Sequence, residues 1–515
     1  MAVEMADLPI SGLGLPNLAL LAVALGIAYY ISWLAYNLFL HPLRAFPGPL
    51  HHRASNLPRA YYMTKGRLGL KVADLHVAYG PVVRIAPDEL AFVSPQAWRD
   101  IYGHRAQGEP EFPKDPQMYR PIKDLPENIV SAQSREYHGA LRRQLAHGFS
   151  ERSMRAQEPI IGSYVDLLVH RLREVCSTES GNLDDPEAKK PRAVNMREWL
   201  NWCTFDVIGD LGFGEPFGCL ESRSYHPWVR RITETIRFGG VVSALLSIGC
   251  GGLVLAMSRL GGMRSRDAHQ RMTREKLVRR IELGAEGRPD FIEGLIRKKD
   301  ELGMDLMTLQ MNASLLIIAG SETTATLLSG ATFLLLSNPD ALAKLTNEVR
   351  STFQDDADIT LSSVGSLSYM LACLNESLRR YPPVVIGLPR LAPQGGAQVA
   401  GHFVPGGTRV AVWHYAASHD PTLWTDPMGF HPERFLGDAR FAGDNLDAMQ
   451  PFSLGPRNCI GKNLAYAEMR LILAKIVYNF DMRIADESRG WLVGQKAFTV
   501  WDKPPLQVYL TPVKK

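Results

Sequence analysis

The sequence predicts a mainly α-helical protein with small β-sheets, carried behind one membrane-spanning helix at the amino terminus. Three observations carry that expectation. Helical signals run through six long segments, residues 134–148, 192–213, 305–336, 341–353, 369–380 and 463–478. Strand-like runs are fewer and short, at 82–85 with 90–93 and at 409–413. Residues 18–35 (LALLAVALGIAYYISWLA) carry no charge.

That uncharged stretch continues through Leu38, Phe39 and Leu40, long enough to cross a bilayer. A cleaved signal peptide is the competing reading. The stretch is too long for one, no basic residue precedes it, and no small-residue cleavage site clearly follows. Glu4 and Asp7 lie before it, whereas Arg44, Arg53, Arg59, Lys65 and Arg67 lie after it. The positive-inside rule therefore puts the body of the protein in the cytosol. The next residues, His41-Pro42-Leu43-Arg44-Ala45-Phe46-Pro47-Gly48-Pro49, cannot extend the helix and read as a short semi-rigid spacer. The expected division is a tail and anchor at 1–40, a spacer at 41–49 and a catalytic domain at 50–515.

With 515 residues, 46% hydrophobic and 21% charged, the chain can bury a sizeable core. A net charge of +4, with no long basic run, gives no footing for nucleic acid. The six cysteines (176, 203, 219, 250, 373, 459) form no CxxC pair, which favours a reducing compartment. Residues 177–192 read as a polar loop. Residues 238–258 are uncharged and long enough to be a second span, but five glycines weaken that reading. A span there would also separate motifs that one site needs, so the segment is expected to be an apolar surface element at the bilayer.

The chemistry concentrates near the carboxyl end, in Pro451-Phe452-Ser453-Leu454-Gly455-Pro456-Arg457-Asn458-Cys459-Ile460-Gly461-Lys462. A Gly/Pro loop gives way to a helix there, and the cysteine sits at the junction. A helix start offers unpaired N–H groups that stabilise a thiolate, the form that binds metal. Gly455 and Gly461 would let the backbone pass close to a flat ligand.

This segment resembles the haem-binding signature of the cytochrome P450 family, F-x-x-G-x-R-x-C-x-G, at Phe452, Gly455, Arg457, Cys459 and Gly461. A chance match at five fixed positions has a probability on the order of 10⁻⁴ in a chain of this length. Glu376 and Arg379 share a helical face. Alone they would be an ordinary surface pair, but they resemble the family's E-x-x-R motif, and Pro432-Glu433-Arg434-Phe435 resembles the segment whose arginine joins that pair. The implied role of Glu376, Arg379 and Arg434 is structural. Ala319-Gly320-Ser321-Glu322-Thr323-Thr324 resembles the oxygen-binding helix, in which the glycine leaves room over iron. Glu322 and Thr323 then take the roles of acid and alcohol in a proton relay. The bland reading is a polar stripe whose threonines bond back to the preceding turn. For the haem propionates the candidates are Arg457, Arg390, and His138 with Arg142, a pair in the place of the family's W-x-x-x-R with His replacing Trp.

The resemblance runs from the anchor to the end and is nearest to fungal microsomal members of secondary metabolism, among them trichothecene hydroxylases. It implies a single large haem domain holding haem b through Cys459, and NADPH- and O2-dependent oxidation of an apolar small molecule. No flavin or nicotinamide domain fits after the cysteine segment, so electrons are expected from an NADPH-dependent flavoprotein reductase. The implied location is the endoplasmic reticulum membrane, in contact with its lipid. A haem-thiolate isomerase, dehydratase or peroxygenase is the rival within the family, and a non-catalytic haem sensor or carrier the rival outside it.

Overall fold

The central element is a 31-residue helix, Leu306–Leu336. Asp305 caps it by accepting the Thr308 N–H at 2.8 Å. From Thr324 to Leu335 the helix is buried on every side, which suits its almost wholly apolar sequence. A computed structural model of the chain describes residues 15–106, 108–119, 125–177, 193–257, 264–284 and 290–513.

Helices Arg135–Gly148, Glu151–Ser177, Met196–Phe213, Pro339–Thr352, Ser368–Arg380 and Lys462–Asn479 build the rest of the larger core. All six expected helical segments are present. The segment expected to start at Arg192 begins in the helix at Met196, because Val194–Asn195 pairs as a strand with Gln507–Pro512. A second, smaller core surrounds a four-stranded sheet. Its order is Val82–Ala86, Glu89–Phe92, Arg409–Val412, Arg390–Leu391, with only the middle pair parallel. The rest of the β-structure is small, as expected.

At the amino end, helix Leu15–Ala35 continues in a widened turn through Leu40, giving 26 residues none of which packs inside the protein over the apolar window. It is long and apolar enough to cross a membrane. The semi-rigid spacer after it is packed against the body. Leu43 is fully buried and the Pro47 carbonyl accepts the Arg84 N–H at 2.7 Å, so residues 41–49 lie docked on the sheet. Asn37, in the widened turn, is itself buried and donates to the Ala54 carbonyl at 2.8 Å. Its own carbonyl accepts from the buried Arg84 guanidinium at 3.0 Å.

The uncharged segment at 238–258 is not one continuous helix in its described part. Helix Pro227–Ser247 ends before Gly249, whose φ is +80°, and Gly251–Met257 begins anew. The first of these packs against helix Leu57–Thr64, and Leu253 of the second stands exposed. Ser258 lies outside the described residues, as do 178–192 of the expected polar loop and the tail that holds Glu4 and Asp7.

Candidate active site

The loop from Phe452 to Gly461 closes on itself, the Cys459 N–H donating to the Phe452 carbonyl at 2.9 Å. Gly455 is required by its own backbone, with φ +74°. A Cβ there would also lie 2.0 Å from the Tyr102 carbonyl oxygen, so a protein neighbour is what excludes a side chain. Cys459 retains accessible surface although it sits deep in the protein. That combination places the sulfur on the wall of an internal space.

The helix start is less close to the sulfur than expected, because the helix begins at Lys462, three residues on. Burial pushes the Cys459 thiol up, opposed by the Gly461 N–H and the charges of Arg142 and Lys462. The protein's own groups therefore do not by themselves favour the thiolate, and a cation at the sulfur is the remaining source of stabilisation.

Two arginines tie this loop to the helix Arg135–Gly148. Arg457 donates to the Ala132 and Gln133 carbonyls at 2.7 and 2.8 Å, just before the Ser134 cap. Arg142 reaches back to the Asn458 carbonyl at 2.7 Å and to its side-chain oxygen at 2.5 Å. These bonds make Arg142 first a clamp on the cysteine loop, a role that the spacing in the sequence did not indicate.

Around them gathers a set of bases. Arg390 is buried, makes a long bond of 3.5 Å to the Phe112 carbonyl, and leaves its Nε without a partner among the described residues. His138 is lowered to about 3 by burial and by the charges of Arg457, Lys114, Arg142 and Arg390, so at neutral pH it is an uncharged donor. Lys114 is lowered to about 6 by burial and then by Arg390 and Arg457. Glu127 and Glu111 act on Lys114 and Arg457 through space, Glu111 being itself paired with Arg135 at 3.4 Å. Such a cluster suits a ligand carrying carboxylates. Lys114 was missed from the sequence because its partner Arg390 is distant in the chain and faces it only across an isolated antiparallel bridge.

The central helix presents an accessible stripe at four-residue spacing, Met307, Met311, Leu315, Ala319 and Thr323, with Ile318 and Gly320 partly exposed on its flanks. Thr323 donates its hydroxyl to the Ala319 carbonyl at 2.6 Å, which is the back-bonded geometry of the bland reading. Gly320 does not face this stripe. A Cβ on it would lie 2.6 Å from Ile208 Cδ1, so its smallness serves the packing of helix Met196–Phe213. Glu322 is buried and bonded to the Lys503 ammonium, which also donates to Thr326 Oγ1 at 2.5 Å.

The structural trio comes together as expected and goes further. Arg379 grips Glu376 with two bonds of 2.8 and 2.7 Å, and Arg434 lies 3.4 Å from the same carboxylate. All three side chains are fully buried. Asp444, unforeseen from the sequence, pairs with Arg434 and brings the buried charge to two against two.

A family profile described as Cytochrome P450 matches residues 47–509. The chain is 51% identical over 499 residues to the "Cytochrome P450 monooxygenase tpeC" of Talaromyces stipitatus, covering 96% of this chain and 95% of that one. It is 44% identical over 490 residues to the "Trichothecene C-15 hydroxylase" of Fusarium sporotrichioides, covering 95% and 96%. It is also 44% identical over 497 residues to the "Averantin hydroxylase" of Dothistroma septosporum, covering 95% and 91%. The mainly helical fold and these full-length likenesses agree: the chain belongs to the cytochrome P450 family and is a haem-thiolate monooxygenase.

Proposed function

We propose that Cys459 would ligate the iron of a haem b and that Arg390, Lys114, His138 and Arg457 would receive its propionates, with Arg142 securing the cysteine loop. The observation that carries this is the gathering of Arg390, Lys114, His138, Arg457 and Arg142 near an accessible but deep-lying thiol. When bound, a haem with a thiolate ligand supplies dioxygen activation, electron donation by sulfur favouring O–O cleavage. The protein's share is to anchor, orient, exclude water and move protons. Phe452 closes the cysteine loop through its carbonyl, while Gly455 and Gly461 keep that loop narrow. Glu322 and Thr323 hand protons to the space beside the Leu315–Ala319–Thr323 stripe. That stripe is apolar apart from the hydroxyl, which suits an apolar small molecule.

Family members draw electrons from a redox partner and use O2. The partner proposed here is an NADPH-dependent flavoprotein, docking near the exposed Lys462 and Arg143 by charge attraction. Residues 1–40 serve as the anchor and 50–515 as the catalytic domain, held on the cytosolic face of the endoplasmic reticulum. Relatives named for trichothecene and averantin support a place in fungal secondary metabolism.

The test is a carbon monoxide difference spectrum of the reduced protein. Wild type is expected to give the thiolate-ligated haem band and Cys459→Ala to lose it. Retention of that band in the variant refutes Cys459 as ligand. Oxidation of an apolar substrate panel with NADPH should then require added reductase, and unchanged turnover without it refutes the proposed partner.

A further inference from the structure

Glu322 is a carboxylate placed where a bare charge is costly. Another glutamate shows what that setting does. Glu468 is buried, its Oε1 has no partner among the described residues, and burial pushes its carboxyl up to about 8. Glu322 differs in having a cation against it. The Lys503 ammonium, 3% exposed, bonds Glu322 Oε1 and Thr326 Oγ1, and Thr326 stands 3.4 Å from the same oxygen. These bonds draw the carboxylate along the helix towards Thr326, one turn beyond it, and none of them uses Oε2.

Lys503 is itself held. It follows the short strand Trp501–Asp502, and its carbonyl accepts from Arg197 at 2.6 Å at the start of helix Met196–Phe213. Its neighbour Asp502 pairs with Arg237 of helix Pro227–Ser247 at 2.5 Å. That second pair is half-exposed and contributes little energy, but it fixes the path of the segment. Burial lowers Lys503 and so does the charge of Arg197, opposed by Glu322 and Asp502, while Tyr225 and Tyr381 also act on Glu322 with phenols pushed up by burial.

From this geometry we infer that Lys503 is a positioning residue for the proton relay: its ammonium holds Oε1 and turns the carboxylate so that Oε2 is left to carry the proton. The inference rests on Glu322 being the relay acid. Without the ammonium, Glu322 would meet the fate of Glu468 and become a neutral acid. A neutral acid no longer takes a proton from solvent to pass onward.

The experiment uses the full-length holoenzyme with its reductase and compares wild type, Lys503→Met, Lys503→Gln, Lys503→Arg and Glu322→Gln. Two quantities are read: product formed per NADPH between pH 6 and 9, and the infrared absorption of a protonated carboxyl, assigned to Glu322 by its loss in Lys503→Met/Glu322→Gln. Both neutral variants should show that absorption at pH 7, with coupling lowered by about 10²-fold and recovering as pH rises. The arginine variant should keep wild-type coupling and no such absorption. Wild-type coupling in either neutral variant, or no protonated carboxyl in them beyond the one wild type already shows from Glu468, overturns the assignment of Lys503. Wild-type coupling in Glu322→Gln instead overturns the relay reading on which it stands. Should Lys503→Met not fold, Lys503→Gln decides.

Discussion

At Thr323 the hydroxyl hydrogen is engaged with the Ala319 carbonyl, yet the oxygen faces the accessible stripe and can still accept. Replacing Thr323 by Ala should leave NADPH consumption running while product formation falls by about 10²-fold, the lower range for a positioned proton-transfer group. The product-to-NADPH ratio measures this, and Thr323→Ser should restore most of it. Residues of this kind were legible because they sit in short local patterns: Cys459 with its four flanking fixed positions, Glu322 with Thr323. Lys114, Lys503 and Asp444 were not. Each is a lone charge whose meaning comes from a partner brought near by folding, 181 residues away for Lys503 and Glu322.

Among the elements, the buried charges joining helix Ser368–Arg380 to the Pro432–Leu436 turn are the most sensitive junction. As an exposed pair, Glu376 and Arg379 would contribute only about 0.2–0.5 kcal/mol. Fully buried, with Arg379 also donating to the Ser418, Pro427 and Gly429 carbonyls, they behave otherwise. Glu376→Gln leaves two buried guanidinium groups short of a carboxylate and should destabilise the protein by about 3–5 kcal/mol, read from urea unfolding. The helices themselves were readable because an apolar stripe at helical spacing is a local property. The docking of residues 41–49 on the sheet was not, since a Pro/Gly run states only that the helix stops. At Gly320 the sequence shows that a side chain is excluded but not that Ile208 is a neighbour excluding it.

On the scale of the whole molecule, the anchor and body meet through Asn37 and Arg84. A truncation beginning at Tyr36 should move the protein from membrane to soluble fraction while keeping this junction. One beginning at His41 loses the Asn37 bonds and should be less stable by about 1–3 kcal/mol, measured by thermal unfolding of the two forms. Acid should also find a weakness in the core. His76 and His414 are both lowered by burial to about 4, against 6.5 when unfolded. The stability gained by keeping them neutral is present above pH 6.5 and is lost as pH falls towards 4. Each proton taken up on unfolding contributes a slope of about 1.4 kcal/mol per pH unit in that window. His414→Gln should flatten the measured dependence by one such increment. What the sequence by itself determined is the chemistry and the fold class, because a metal-binding loop, an apolar span and helical periodicity are written over a few consecutive residues. Tertiary structure alone decided which charges are buried, which cations gather beside Cys459 and what holds Glu322, because burial and electrostatic balance are set by residues that only folding brings together.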